Sequence, residues 1–217
     1  MYRIRFLNSA LWVFVISLIS CQNKNMQAVL PYYNSPDFNP IFLQNKSESG
    51  KIITHTISNF SFSDQDKKIV TQQDIEGKIH VANFIFTTCG SICPRLTEEM
   101  KLVANAYESD TAVVILSYSV TPWIDSPEKL KIYKEKKGIT KANWHFLTGN
   151  KAIIYSHART AYFAEEDLGF AKDSSDFLHT EHFVLVDKCK RIRGIYNGTL
   201  QLEAEQLIKD IALLKAE

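Results

Sequence analysis

Two short apolar runs, residues 81–87 (VANFIFT) and 112–118 (AVVILSY), leave little choice of architecture. Runs of this length with almost no polar alternation belong to strands buried on both faces, and such strands need helices above and below them. Helical spacing over residues 97–107 falls between the two runs. Residues 126–137 (SPEKLKIYKEKK) read as a second helix, opened by Ser126 as cap with Pro127 at the first helical position, and residues 150–162 as a third. Ahead of the runs, residues 56–62 and 68–71 read as a hairpin around Ser63-Asp64-Gln65-Asp66. Behind them come a strand at 183–187, a turn at Lys188-Cys189-Lys190, a strand at 191–196 and a closing helix over 202–215.

Strands and helices in alternation define an α/β fold with a central sheet. Strand, helix, strand, helix, then a hairpin and a last helix is the thioredoxin order: a mixed sheet flanked by helices, here with an N-terminal hairpin. A chain of 217 residues holds one such core and is short for two. With 25 Lys and Arg against 24 Asp and Glu it carries no basic field, so nucleic acid is not expected as a partner.

The first residues differ from the rest. Arg3 and Arg5 precede an apolar run at 10–19 (ALWVFVISLI), short of the roughly 20 residues a membrane span needs but suited to an export signal. Leu18-Ile19-Ser20-Cys21 resembles the bacterial lipoprotein processing box, in which the signal is cut just before a cysteine that becomes acylated. An uncleaved N-terminal anchor with an incidental cysteine is the alternative. Either places the domain outside the cytoplasm, on the periplasmic side of the cell envelope and tied to a membrane. The expected organisation is a signal peptide at 1–20, a tether and irregular lead-in at 21–51 and one thioredoxin-like domain at 52–217.

Cys89-Gly90-Ser91-Ile92-Cys93-Pro94 lies where a buried strand gives way to a helix. Unpaired N–H groups at a helix start favour thiolate over thiol, which raises both nucleophilicity and metal affinity, and Arg95 adds charge of the same sign. Three residues between the cysteines, rather than the two of the usual thioredoxin motif, place them at i and i+4 of a formed helix. Such a pair closes a disulfide if its Cα atoms come within about 7 Å, or it splays around a metal. Two thiolates select Cu(I) or zinc over hard cations, and two cysteines alone are an incomplete zinc site. An inert stapling disulfide is the bland reading, although so short a loop gains little from closure.

A thioredoxin-type reductase needs a proline in the loop before the strand at 183, and the last proline here is Pro127. That loop instead reads Asp176-Phe177-Leu178-His179-Thr180-Glu181-His182, and in the thioredoxin order it faces the start of the cysteine helix. A histidine there can supply a third ligand.

The segments TTCGSICP (87–94), SVTPWIDSPEKL (119–130) and HTEHFVLVD (179–187) together resemble the Sco (SenC) family of copper proteins, with a likeness running from about Thr54 onward. Pro31-Tyr32-Tyr33 is similar to a segment of its lipoprotein members from Bacteroidetes-type bacteria. The resemblance implies a thioredoxin-like fold that holds Cu(I) or Cu(II) through Cys89, Cys93 and His179. It further implies a metallochaperone that delivers copper to, or reduces the cysteines of, the Cu(A) site during cytochrome c oxidase assembly, with the Cu(A)-bearing subunit or another copper chaperone as partner. Asp125 matches an acidic residue of the family.

Two positions depart from the family pattern. His182 stands where many relatives have Asn or Ser, and three residues from His179 along a strand it points elsewhere. Cys189 sits in a hairpin turn, exposed and open to oxidation. His55, His80, His145 and His157 have no cysteine or second histidine at ligand spacing and read as surface or core residues, Glu98 and Glu99 as a solvated helix face, and Trp123 and Trp144 as either core or a shield over the site. The competing function is a thiol-disulfide oxidoreductase or redox sensor using Cys89 and Cys93 without metal. Peroxide reduction lacks its upstream proline, since none lies between Pro40 and Pro94. A surface lipoprotein that only binds a partner would not need the three ligands.

Overall fold

The computed structural model describes residues 29–164 and 180–217. Residues 1–20, Cys21 and His179 lie outside the described residues.

Five strands form the central sheet, which is the α/β arrangement the sequence predicts. In chain order the strands are β1 (Ser61–Ser63), β2 (Ile69–Thr71), β3 (Ile79–Ile85), β4 (Val113–Ser119), β5 (Trp144–Leu147), β6 (His182–Val186) and β7 (Ile192–Asn197). The helices are α1 (Ile92–Ala106), α2 (Pro127–Lys136), α3 (Lys151–Tyr162) and α4 (Gln201–Ala216), besides a single helical turn at Ser49–Ile52. The sheet order is β5-β4-β3-β6-β7, with β5, β4 and β3 parallel to one another, β6 antiparallel to β3 and β7 antiparallel to β6.

β3 and β4 occupy the middle of the sheet and every residue of both is buried. Their alternate side chains feed two cores. Ile79, Val81 and Ile85 join Leu96, Met100, Val103, Leu130, Trp144, Phe146, Leu207 and Ile211 on the face covered by α1, α2 and α4. Ala82 and Phe84 face Phe60, Phe62, Tyr118, Tyr155 and Tyr162 on the side of α3 and the β1–β2 hairpin. A fully buried Leu, Ile, Met or Phe contributes about 2 kcal/mol relative to exposure, and two such layers are what an apolar strand pair requires.

The caps of α2 and α3 behave as their sequence predicts. Ser126 accepts from the Lys129 N–H with Pro127 opening the helix, and Asn150 accepts from the Ile153 N–H. Three expectations need correction. The first hairpin strand is only Ser61–Ser63, not the seven residues from 56: its pairing with β2 ends at Ser61 and Thr71, because the chain turns into a short 3-10 helix from Gln72 and leaves residues 56–60 no partner in β2. Strand β5 has no counterpart in the sequence reading. The cysteine helix begins at Ile92, five residues earlier than its spacing suggested.

The irregular lead-in is packed onto the sheet from Leu30 onward. Tyr32 and Ile41 exchange backbone hydrogen bonds of 2.9 Å, and the Tyr33 N–H donates to the Ile192 carbonyl at 3.1 Å. The second contact covers the exposed edge of β7, the side of a sheet most open to unwanted pairing. Arg193, 1% exposed in β7, holds the same segment: its Nε donates to the Pro31 carbonyl at 3.0 Å and its Nη2 to the Leu30 carbonyl at 3.0 Å. No helix among the described residues is long and apolar enough to cross a membrane.

Candidate functional site

β3 ends at Ile85, and residues 86–91 carry the chain into α1. The Cys89 N–H closes a turn onto the Phe86 carbonyl at 3.3 Å. Cys89 therefore precedes the helix while Cys93 is its second residue, so the two cysteines are not an i, i+4 pair of one helix as the spacing suggested. The reason is local: Pro94 occupies the first turn, where its missing N–H costs nothing, and the backbone at Ser91 is non-helical (φ −118°, ψ −88°).

Ser91 makes no side-chain capping bond. The free N–H of Cys93 instead points at the Cys89 sulfur, with N···Sγ 3.5 Å, so the thiol stands where a capping oxygen usually does. The helix start thus acts directly on one sulfur. Partial burial of Cys89 works against ionisation, but the amide groups of Cys93, Ser91 and Ile92, together with the Cys93 thiol, outweigh it and hold the thiol below its ordinary value. Cys93 is the opposite case. It is 2% exposed, and burial pushes its thiol up to about 12, with the neighbouring Cys89 adding to the rise and the Phe86 backbone opposing it. Arg95, expected to add charge, is exposed at the surface.

The environment behind the pair is hydroxyl-rich. Thr97 Oγ1 donates to the Cys93 carbonyl at 2.9 Å and meets the Tyr133 hydroxyl at 2.7 Å, joining α1 to α2. On the other flank Asp125 is fully buried. Its carboxylate accepts from Ser119 Oγ at 2.7 Å, Thr121 Oγ1 at 2.9 Å, the Thr87 N–H at 3.3 Å and the Thr87 hydroxyl. Asp125 was legible from its motif; Thr87, Ser119, Thr121 and Tyr133 were not, because their roles depend on contacts across 36 or 38 residues or on a tight loop at the end of β4.

The remaining histidines are structural. His80 is buried with Nε2 3.0 Å from the Tyr162 hydroxyl, His157 lies among Phe60, Phe62 and Tyr118, His145 meets Asp64 at 3.2 Å and His55 meets the Ala161 carbonyl at 2.9 Å. His182 opens β6 with its ring edge-on to Phe38. Trp144 is core, stacked on Phe146 with Nε1 donating to Ser117 at 2.8 Å, whereas Trp123 is 57% exposed. Cys189 is exposed in its turn. Glu98 is solvated and pairs with Lys101. Among the described residues no three His, Cys, Asp or Glu side chains gather into a metal-holding group; the described part of the site offers two thiols.

This asymmetry gives a measurable expectation. In the reduced protein at pH 8, iodoacetamide should modify Cys89 at least about a hundredfold faster than Cys93, since the thiolate is the reacting form and Cys93 is both buried and barely ionised. Timed alkylation with peptide mass spectrometry decides it; comparable rates would show that the helix start does not discriminate between the sulfurs.

Comparison with known proteins finds a match to the SCO1/SenC family over residues 49–215. The chain is 29% identical over 164 residues to the SCO1 protein homolog of Bacillus subtilis (strain 168), covering 73% of this chain and 82% of that protein. Among solved structures it is similar to a SCO1/SenC family lipoprotein from Bacillus anthracis str. Ames, with 29% identity, a TM-score of 0.65, and 76% of this chain and 97% of that one covered. It is also similar to BsSco, described as a member of the Sco family of cytochrome c oxidase assembly proteins with a disulfide switch, at 28% identity, a TM-score of 0.63 and coverage of 75% and 95%.

Proposed function

We propose, because this chain belongs to the SCO1/SenC family, that it is a copper-binding protein of the cell envelope, anchored through an acylated Cys21, which holds copper with Cys89, Cys93 and His179 and serves the assembly of a respiratory oxidase. The observation that carries the reading is the pair of unlike thiols at the start of α1, one partly exposed and held below its ordinary pKa by three amide groups and the neighbouring thiol, the other buried beside it. Two soft sulfur donors without further ligands among the described residues suit Cu(I) better than structural zinc, which takes four protein ligands.

The sequence order supports His179 as third ligand. β6 runs antiparallel to β3, with Ala82 opposite Val184, so β6 begins at the end of the sheet from which the cysteine segment leaves. His179 precedes β6 by three residues. The bound metal would supply a thiolate-held copper ion for transfer. What the chain contributes is an accessible sulfur to release or receive it and a buried one to retain it. The oxidase role is supported by BsSco, and the lipid anchor by the Bacillus anthracis lipoprotein, as each is described.

Titration of the full-length reduced protein in detergent, against a chromophoric Cu(I) chelator, tests the reading. One tightly held equivalent is expected, weakened at least about tenfold in each of Cys89→Ser, Cys93→Ser and His179→Ala. Retained affinity in His179→Ala would remove the histidine from the ligand set. The unequal thiols also favour a second reading, a thiol-disulfide exchanger in which Cys89 attacks and Cys93 resolves. No copper binding, together with rapid reversible oxidation of the pair, would select that reading.

A further inference from the structure

We propose that Asp125 is a positioning residue for the copper-binding thiol of Cys89, acting through Thr87; the inference rests on the copper reading above. A buried carboxylate is expensive unless hydrogen bonds compensate it. No Lys, Arg or His pairs with Asp125 among the described residues. Its negative charge is met by neutral donors alone: two from Thr87, one from Ser119 and one from Thr121.

The placement of those donors gives the carboxylate its role. Ser119 is the last residue of β4, and the loop beyond it is closed on itself, with the Thr121 N–H donating to Ser119 Oγ at 3.1 Å and the Asp125 N–H to the Thr121 carbonyl at 2.9 Å. That rigid loop is one wall. Thr87, on the opposite wall, is two residues before Cys89, inside the stretch whose turn from Phe86 to Cys89 sets the sulfur against the Cys93 N–H. Asp125 therefore clamps the cysteine loop to the end of β4. Without the clamp the Cys89 sulfur is free to leave the helix start, and the two thiols lose their common geometry. Oδ2 takes three of the four bonds and Oδ1 only that of the Thr87 hydroxyl. Because a hydroxyl can also accept, an amide at position 125 could keep the set with its NH2 turned to Thr87, and removing the clamp takes a side chain that neither donates nor accepts.

The test uses the full-length protein in detergent with three variants. Asp125→Ala removes the clamp at its centre. Thr87→Val removes one donor from a half-buried loop position and leaves the Asp125 contacts to β4 in place, so it remains informative should the first variant fail to fold. Thr87→Ser keeps both donors and is the rescue. Two quantities are read: Cu(I) affinity by chelator competition, and, in the metal-free reduced protein, the alkylation rate of Cys89 relative to the exposed Cys189. Asp125→Ala and Thr87→Val are expected to weaken copper about tenfold and to slow relative alkylation of Cys89 about threefold as its sulfur leaves the amide groups; Thr87→Ser recovers most of both losses.

If wild type binds copper and either quantity is unmoved in Thr87→Val, the positioning role is overturned and the copper reading stands. If wild type binds no copper while Cys89 alkylation slows in Thr87→Val and recovers in Thr87→Ser, the clamp on the thiol stands and the copper reading falls. If wild type binds no copper and alkylation is unmoved, both fall.

Discussion

Replacing Arg193 with alanine is expected to destabilise the protein by about 3–5 kcal/mol, the range found when one partner of a buried charge network is removed. The guanidinium is almost wholly buried and makes five hydrogen bonds. Besides the carbonyls of Leu30 and Pro31, it forms a two-pronged contact with Glu217, Nη1 to Oε2 at 2.8 Å and Nη2 to Oε1 at 3.2 Å, and a further bond to Asp187 at 3.3 Å. Tyr32 closes the stack, with the guanidinium carbon 4.0 Å from its ring centre. One side chain thus ties the lead-in, the β6–β7 hairpin and the end of α4 to one another. Alanine would leave two carboxylates and two carbonyls around an empty site. Urea unfolding followed by Trp fluorescence measures the loss. Arg193→Lys should recover only part of it, because an ammonium cannot reproduce the planar fork, and Glu217→Gln should cost less than either. A cost below about 1 kcal/mol for alanine would mean that the lead-in is held by its apolar contacts alone.

Acid should weaken the fold well before its carboxylates are protonated. Burial pushes His80 down to about 3 and His157 down to about 4, against an ordinary value near 6.5. Both are neutral in the folded state at moderate pH and titrate normally once unfolded. Below about pH 6.5 the unfolded chain therefore binds more protons than the native one, and stability falls with falling pH until the folded values are reached. Their contribution is complete above pH 6.5 and is lost progressively toward pH 4 for His157 and pH 3 for His80. Between pH 7.5 and 4.5 the loss amounts to about 2–3 kcal/mol for each histidine. The surroundings explain why neither can be charged cheaply: Phe60, Phe62, Tyr118 and Tyr162 pack around His157, and His80 has the Tyr162 hydroxyl at its Nε2. Urea midpoints at several pH values should decline from about pH 6.5 downward, and His157→Phe should make that decline shallower, His80 and the partly buried His145 supplying the rest. A flat profile down to pH 4.5 would contradict the burial argument.

The parts of this molecule that were legible in its sequence are those whose cause is local. Ser126-Pro127 and Asn150 announce helix starts because capping is a matter of a few adjacent residues. The runs around β3 and β4 announce buried strands because their whole length is apolar. Strand β5 was missed for the converse reason. Its four residues, WHFL, are too few to show a period, and they are extended because Trp144 and His145 align with Ile115 and Leu116 of β4, a contact about thirty residues away. The cysteine pair was legible as chemistry but not as geometry. Spacing put both sulfurs on one helix, and the chain leaves Cys89 outside it because Pro94 and the non-helical Ser91 delay the first turn. The Asp125 clamp was invisible for a related reason, since nothing in a Thr-Thr-Cys sequence shows that its first threonine answers a carboxylate 38 positions later.

The grip of Arg193 on Leu30 and Pro31 also sets a reach. With Cys21 acylated as proposed, only residues 22–29 separate the lipid from the point where the chain is fastened to the sheet. At roughly 3.5 Å per extended residue these residues reach at most about 30 Å. A domain so tethered would work in a shallow layer above the membrane and would meet only those receivers whose accepting groups stand at that height. Lengthening or shortening these few residues would change which proteins the site can serve without touching a single atom of the site.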